Sequence, residues 1–170
     1  FVLSGGFARF GNWTELKVST GLGEWNDGAF DLKSLYTKSP SSGEAVFKGV
    51  QPITAGSPSV FDVQLIRFPM GELLGMEALG RLIKGHVDAP SGSLTFDPRH
   101  VDSGQLDLSF SGTEISIEGF RFLGGLASIL RKEHYARPEG GTITGTLKWD
   151  RDQLSIEDLK YEVRSHMMLT

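Results

Sequence analysis

Residues 140–170 read GGTITGTLKWDRDQLSIEDLKYEVRSHMMLT, and this stretch decides the fold class. Ile143, Leu147 and Trp149 share one parity, with Gly145 between them, while Thr142, Thr144, Thr146 and Lys148 occupy the other. Asp150-Arg151-Asp152 supplies a polar turn. Leu154 and Ile156 then alternate with Gln153 and Ser155, and Tyr161 and Val163 with Glu162 and Arg164. A period of two is what a strand with one dry and one wet face requires. The reading is three successive strands of an antiparallel sheet, with no residues arranged for chemistry.

Working outward, the same alternation recurs through most of the chain. Short strands are expected at Gly6–Phe10, Thr14–Thr20 and around Phe30 and Leu32. Gly21–Gly28 reads as a turn-rich segment containing Asn26-Asp27-Gly28, a hairpin signal because Asp-Gly tolerates positive φ. Glu44–Val50 is a strand with Ala45 and Phe47 on one face and Val46 and Val50 on the other. Val60–Phe68 is read as a strand with Phe61, Val63 and Leu65 set against Asp62, Gln64 and Arg67. Arg81–Ala89, Ser91–Phe96, Gln105–Ser111 and Glu114–Ile117 read as four further strands; Leu106, Leu108 and Phe110 share a face, as do Ile115 and Ile117. Two segments depart from period two. Met70–Leu79 follows Pro69 as a short helical candidate, and Phe120–Tyr135 carries Leu123, Leu126, Ile129 and Leu130 at helical spacing.

An internal echo runs through this pattern. GSLTFDPR (92–99) resembles GTLKWDRD (145–152), and EISIEGFRF (114–122) resembles QLSIEDLKY (153–161). The paired halves are spaced differently, so the repeat is a hairpin element with an insertion, not a strict-period array. A repeated hairpin suits a sheet that grows by adding like units.

Composition bounds the function. The chain has 170 residues, a formal net charge of −4 and no cysteine. One domain is expected from that length. The acidic balance and scattered cations give no electrostatic case for nucleic acid. Disulfides and thiolate metal sites are excluded. No run of 18 apolar residues is present to form a transmembrane helix. The sequence opens on Phe1 without a signal peptide and is read as a piece of a longer protein.

Catalytic patterns are missing. His86, His100, His134 and His166 do not pair at metal-ligand spacing. Asp97, His100 and Asp102 fit a polar turn between strands. Asp150, Asp152, Glu157 and Asp158 lack the order of a calcium loop. Gly124-Gly125 and Ser128 match neither a nucleophile elbow nor a phosphate-binding loop. Trp13, Trp25 and Trp149 could touch carbohydrate or lipid, although core packing is the more ordinary role for such rings. The expectation is a non-enzymatic protein that needs no cofactor and no metal.

ISIEGFRFLGGLASIL (115–130) followed by GTITGTLKWDRDQLSIEDLKY (141–161) resembles the C-terminal region of the AsmA-like family, which includes the TamB proteins. The order strand, short helix, small-Gly-Thr strand and acidic hairpin carries the likeness, with Gln153 standing where the family's turn glycine commonly sits. The resemblance implies a single β-rich domain over residues 1–170, built as a curved, mostly antiparallel sheet forming an open groove or half-barrel with one or two short helices. It implies a periplasmic scaffold of the bacterial envelope, anchored in the inner membrane through a segment outside this chain. Its role would be lipid transport in outer-membrane biogenesis. The partner would be phospholipid or another acyl lipid, with envelope proteins as further partners. Candidate groove residues are Phe61, Val63, Leu65, Leu106, Leu108, Phe110, Ile115, Ile117, Ile143, Leu147 and Trp149. Two alternatives stand beside it: an assembly module like the N component of type II secretion, and a closed barrel like the YceI polyisoprenoid binders, which GSLTFDPRH (92–100) resembles.

Overall fold

The computed structural model describes residues 2–8, 15–54, 56–74, 82–97, 99–118, 125, 128–129, 131, 139–151, 153–163 and 167–169. The elements that lie within the described residues are, in chain order, β1 (Val2–Leu3), β2 (Phe7–Ala8), β3 (Leu16–Asn26), β4 (Ala29–Lys38), β5 (Glu44–Pro52), β6 (Ser59–Pro69), α1 (Met70–Leu73), β7 (Ile83–Asp97), β8 (His100–Ile117), β9 (Gly141–Asp150), β10 (Gln153–Val163) and β11 (Met167–Leu169). All pairings are antiparallel, in the order β1-β3-β4-β5-β6-β7-β8-β9-β10-β11, with β2 also on β3. The sheet is open: it does not close into a barrel, which sets aside the closed-barrel alternative.

Turn chemistry starts the meander. Asp27 and Gly28 take φ of 41° and 80°, and Asn26 pairs with Ala29 across this two-residue turn. Both central residues at positive φ match the right-handed twist of the flanking strands. Across the β9–β10 turn Asp150 pairs with Gln153, with Arg151 at φ 56°.

The apolar parity of every long strand faces one side. Phe47 pairs with Val63, Val63 with Gly92, Gly92 with Leu108, Leu108 with Leu147 and Leu147 with Ile156. That row crosses six strands without a polar side chain. It belongs to one core cluster, which also takes in Met70, Leu73 and Leu74 from α1 and the residue after it. The opposite face carries exposed ion pairs such as Lys33 with Glu24 and Lys148 with Glu157. The echo lies in this frame: Gly92, Leu94 and Phe96 of β7 and Gly145, Leu147 and Trp149 of β9 all sit on the apolar face.

Glycine makes room on that face. Gly49 sits opposite Phe61, Gly92 opposite Leu108, and Gly145 opposite Phe110. A Cβ on Gly49 would collide with the Val60 carbonyl, and one on Gly92 with a Leu108 methyl. Gly141 lies beneath the ring of Tyr161, which reaches across β9 so that its hydroxyl donates to the Ile115 carbonyl on β8 at 3.0 Å. Burial raises the Tyr161 pKa above its ordinary value of 10.0. The ionised phenolate is disfavoured there.

Several expected boundaries are corrected. Gly21–Gly28 is not turn-rich; strand β3 runs to Asn26 and only Asp27-Gly28 turns. The four strands expected between residues 81 and 117 are two long ones, and residues 153–163 form one strand where two were expected. In each case the apolar parity reverses because of a bulge, not a break. Ala89 faces inward and so does Gly92, with Pro90-Ser91 in the register shift, where a missing N–H costs no ladder bond. Glu114 at φ 58° carries β8 from Gly112 to Ile115, and Asp158 at φ 50° carries β10 from Ile156 towards Tyr161. Arg67, at φ 46°, does the same in β6, and its N–H donates to the Asp88 carboxylate at 2.7 Å. Bulges bend a strand and increase its twist. The expected helix Met70–Leu79 is helical over Met70–Leu73, and residues 75–80 lie outside the described residues. Within 120–135, Gly125, Ser128 and Ile129 are helical and exposed, and the remainder of that expected helix lies outside the described residues, apart from a turn at Arg131.

Two stability outcomes follow. Gly49→Ala should destabilise the fold by about 1–3 kcal/mol, the usual range for overpacking, and by more than Gly145→Ala, whose Cβ would stand 3.0 Å from the Phe110 ring. Urea midpoints check the ranking, and equal midpoints would contradict it. For Tyr161 the protonated form is favoured on folding, so its contribution is complete below the unfolded pKa and is lost as pH rises through the higher folded value. Stability should therefore fall in the alkaline range, and Tyr161→Phe should flatten that fall. The same variant leaves the Ile115 carbonyl without its donor, at a cost of about 1–3 kcal/mol at neutral pH.

Candidate functional site

Phe61, Val63, Leu65, Leu106, Leu108, Phe110, Ile115, Ile143 and Leu147 occupy one face, as expected, and all are buried. Ile117 and Trp149 pack against the same cluster and are half-buried. The middle of the face is packed core, with Leu108 at 0% and Leu147 at 1% exposure. Packed interiors of this kind leave no space for a further chain without rearrangement.

Space opens at one end of the sheet. A cavity of about 510 Å³ is lined by Leu3 of β1, Trp25 of β3, Phe30 of β4, Gln51 and Pro52 of β5, Ile53, Thr54, Gly56 and Ser57 after it, Asp97 of β7 and Arg99 of the β7–β8 turn. Four strands separate β1 from β7 in the sheet order, yet both line this space. The sheet is therefore strongly curled at this end. A volume of this size falls in the range of small-molecule sites.

Local structure explains the wall. The Asp27-Gly28 turn brings Trp25 and Phe30 together as a cross-strand pair, ring centroids 5.2 Å apart. Gly23 lets the Phe30 ring lie against β3, since a Cβ there would stand 2.6 Å from the ring. The Ile53 N–H donates to the Gly28 carbonyl at 2.9 Å, which fastens the β5–β6 loop to the β3–β4 turn. In the same sheet, Phe61 of β6 and Phe96 of β7 stack with ring centroids 5.7 Å apart. Trp25 and Ile53 are 62% and 64% exposed, a large apolar outlay for surface side chains.

The charged part of the wall, among the described residues, is the β7–β8 turn; Gln51, Thr54 and Ser57 add neutral polar groups. The Asp97 carboxylate accepts the Arg99 N–H at 2.9 Å and lies 3.3 Å from His100 Nδ1. The Arg99 N–H, then the His100 ring, hold the Asp97 carboxyl below its ordinary value. Ser103 Oγ accepts the Asp97 N–H at 3.2 Å. These contacts build the polar turn expected at Asp97–His100. Among the described residues no three potential metal-ligating side chains cluster, and Glu157, weighed for calcium, pairs with Lys148 at 2.8 Å.

The sequence reading singled out Trp25 but not Leu3, Phe30, Ile53 or Arg99 as neighbours in a site. The available signal was the Trp25-Asn-Asp-Gly-Ala-Phe30 hairpin, which pairs two rings across a turn. The participation of residues 53 and 99 depends on sheet curl. Compared with family models, curated proteins and solved structures, the chain matches none.

Core and cavity should separate under mutation. Leu147→Ala should cost about 2–5 kcal/mol, as for other buried leucines, and Leu108→Asp should abolish strand circular dichroism because it buries a charge without a partner. Trp25→Ala, at an exposed wall, should stay within about 1 kcal/mol of the parent in urea unfolding. A folded Leu108→Asp protein would contradict the core assignment.

Proposed function

We propose that this chain is a non-enzymatic acyl-lipid-binding scaffold, in keeping with its resemblance to AsmA-like proteins. The observation that carries the reading is the cavity walled by Leu3, Trp25, Phe30, Pro52 and Ile53 at the end of a sheet face that is apolar across six strands. Binding is passive: an acyl chain displaces water from the aromatic wall while its polar end stays wet. Each methylene buried contributes about 0.8 kcal/mol. On this reading the chain works in the bacterial periplasm, held at the inner membrane by a segment outside it, and contributes to phospholipid transport and outer-membrane biogenesis.

The groove residues of the packed face, including Leu108 and Leu147, contact lipid only if the curled sheet widens from the cavity inward. A second reading is favoured by the filled face itself. An envelope assembly module that docks protein partners needs a scaffold and not an open trough, and β10 from Gln153 to Lys160 has no strand on its outer side among the described residues. Leu154 and Leu159 on that strand are partly exposed.

Native mass spectrometry of protein purified from bacteria separates the two. The lipid reading expects a lipid-mass adduct, with occupancy at least several-fold lower in Trp25→Asp while circular dichroism is unchanged. A parent protein free of adducts that also fails to take up dodecanol in calorimetry would overturn it in favour of the assembly module.

A further inference from the structure

We infer that Arg99 makes the end cavity selective for amphiphiles with an anionic head, a carboxylate or phosphate on a single apolar chain. The inference rests on the acyl-binding reading and adds to it a charge preference and the residue that sets it. The cavity is apolar on the Trp25, Phe30, Pro52 and Ile53 side and, among the described residues, presents one cation, Arg99. Asp97 is the carboxylate nearest in sequence on the wall, and both of its oxygens are engaged within the turn, one by the Arg99 N–H and one by the His100 ring. Among the described residues the Arg99 guanidinium has no ion-pair partner, as is also the case for Lys17, Lys48, Arg67 and Lys160; of these, Arg99 is the one that lines the cavity. The exposed surface of Arg99 is thus a planar cation beside an apolar space. A guanidinium matches carboxylate and phosphate oxygens in a two-pronged geometry that an ammonium does not reproduce. An apolar wall with one such cation at its edge suits a ligand that carries both characters.

Calorimetric titration of the purified chain with dodecanoate, dodecyl phosphate, dodecanol and inorganic phosphate tests this, with the amphiphiles kept below micelle formation. The expected result is binding of the two anionic amphiphiles about tenfold tighter than dodecanol, the scale of one charge-assisted hydrogen bond. Arg99→Ala should bring both down to the dodecanol level and leave dodecanol unchanged, with circular dichroism intact. Arg99→Lys should retain part of the preference. Inorganic phosphate should not bind measurably, because it buries no apolar surface. An anionic preference that survives Arg99→Ala overturns the assignment while the acyl reading stands. Phosphate binding as tight as dodecyl phosphate overturns it too, since the site would then read an oxyanion alone. If no amphiphile binds, both this inference and the acyl reading fall.

Discussion

The apolar face depends on the pairing of glycine with a large side chain across adjacent strands. Gly49 receives Phe61, Gly92 receives Leu108, Gly145 receives Phe110, and Gly141 lies under Tyr161. A single sheet has no second sheet to bury its apolar side. It must curl until its own side chains meet, and a curled inner surface offers less area than the outer one. Removing side chains at alternate positions lets the remaining ones fill that surface without collision. The Tyr161 hydroxyl bond to Ile115 then ties β10 to β8 across the intervening strand.

Bulges supply the other half of the curl. Arg67, Glu114 and Asp158 hold left-handed φ within strands, and each is followed by a return of the apolar parity to the same face. Without that extra residue, a strand bent at these places would turn its apolar set outward. Length and curvature are therefore compatible: β8 runs from His100 to Ile117 and keeps Leu106, Leu108, Phe110 and Ile115 inside. The cavity is a consequence of the same curl. Where the packing of the face ends, strands from distant parts of the sheet approach without enough side-chain volume between them, and Trp25, Ile53 and Arg99 are left around open space.

Much of the fold was legible because alternation is local. Phe61-Val63-Leu65, Leu106-Leu108-Phe110 and Ile143-Leu147-Trp149 read as one-sided strands directly, and each lies on the shared face. The echo between residues 92–99 and 145–152 likewise foretold two strands with the same inward pattern. The misread places share one cause. A parity reversal, as between Ile156 and Tyr161 or between Phe110 and Ile115, has the same sequence signature whether the chain turns or bulges. What distinguishes them is whether the neighbouring strand continues to pair, which is a non-local fact. Gly21 and Gly23 were misread for a related reason: they look like turn residues, and they are strand positions over which Leu35 and Phe30 lie.

By itself the sequence determined an antiparallel, one-sided β architecture, since side-chain period and turn chemistry are properties of neighbouring residues. It also nominated the apolar face residue by residue. Only the tertiary structure decided that this face is packed in its middle and open at one end, because exposure depends on how far the sheet curls. Curl is set by glycine pairs and bulges acting between strands, and it is the curl that brings Leu3, Trp25, Ile53 and Arg99 to one cavity.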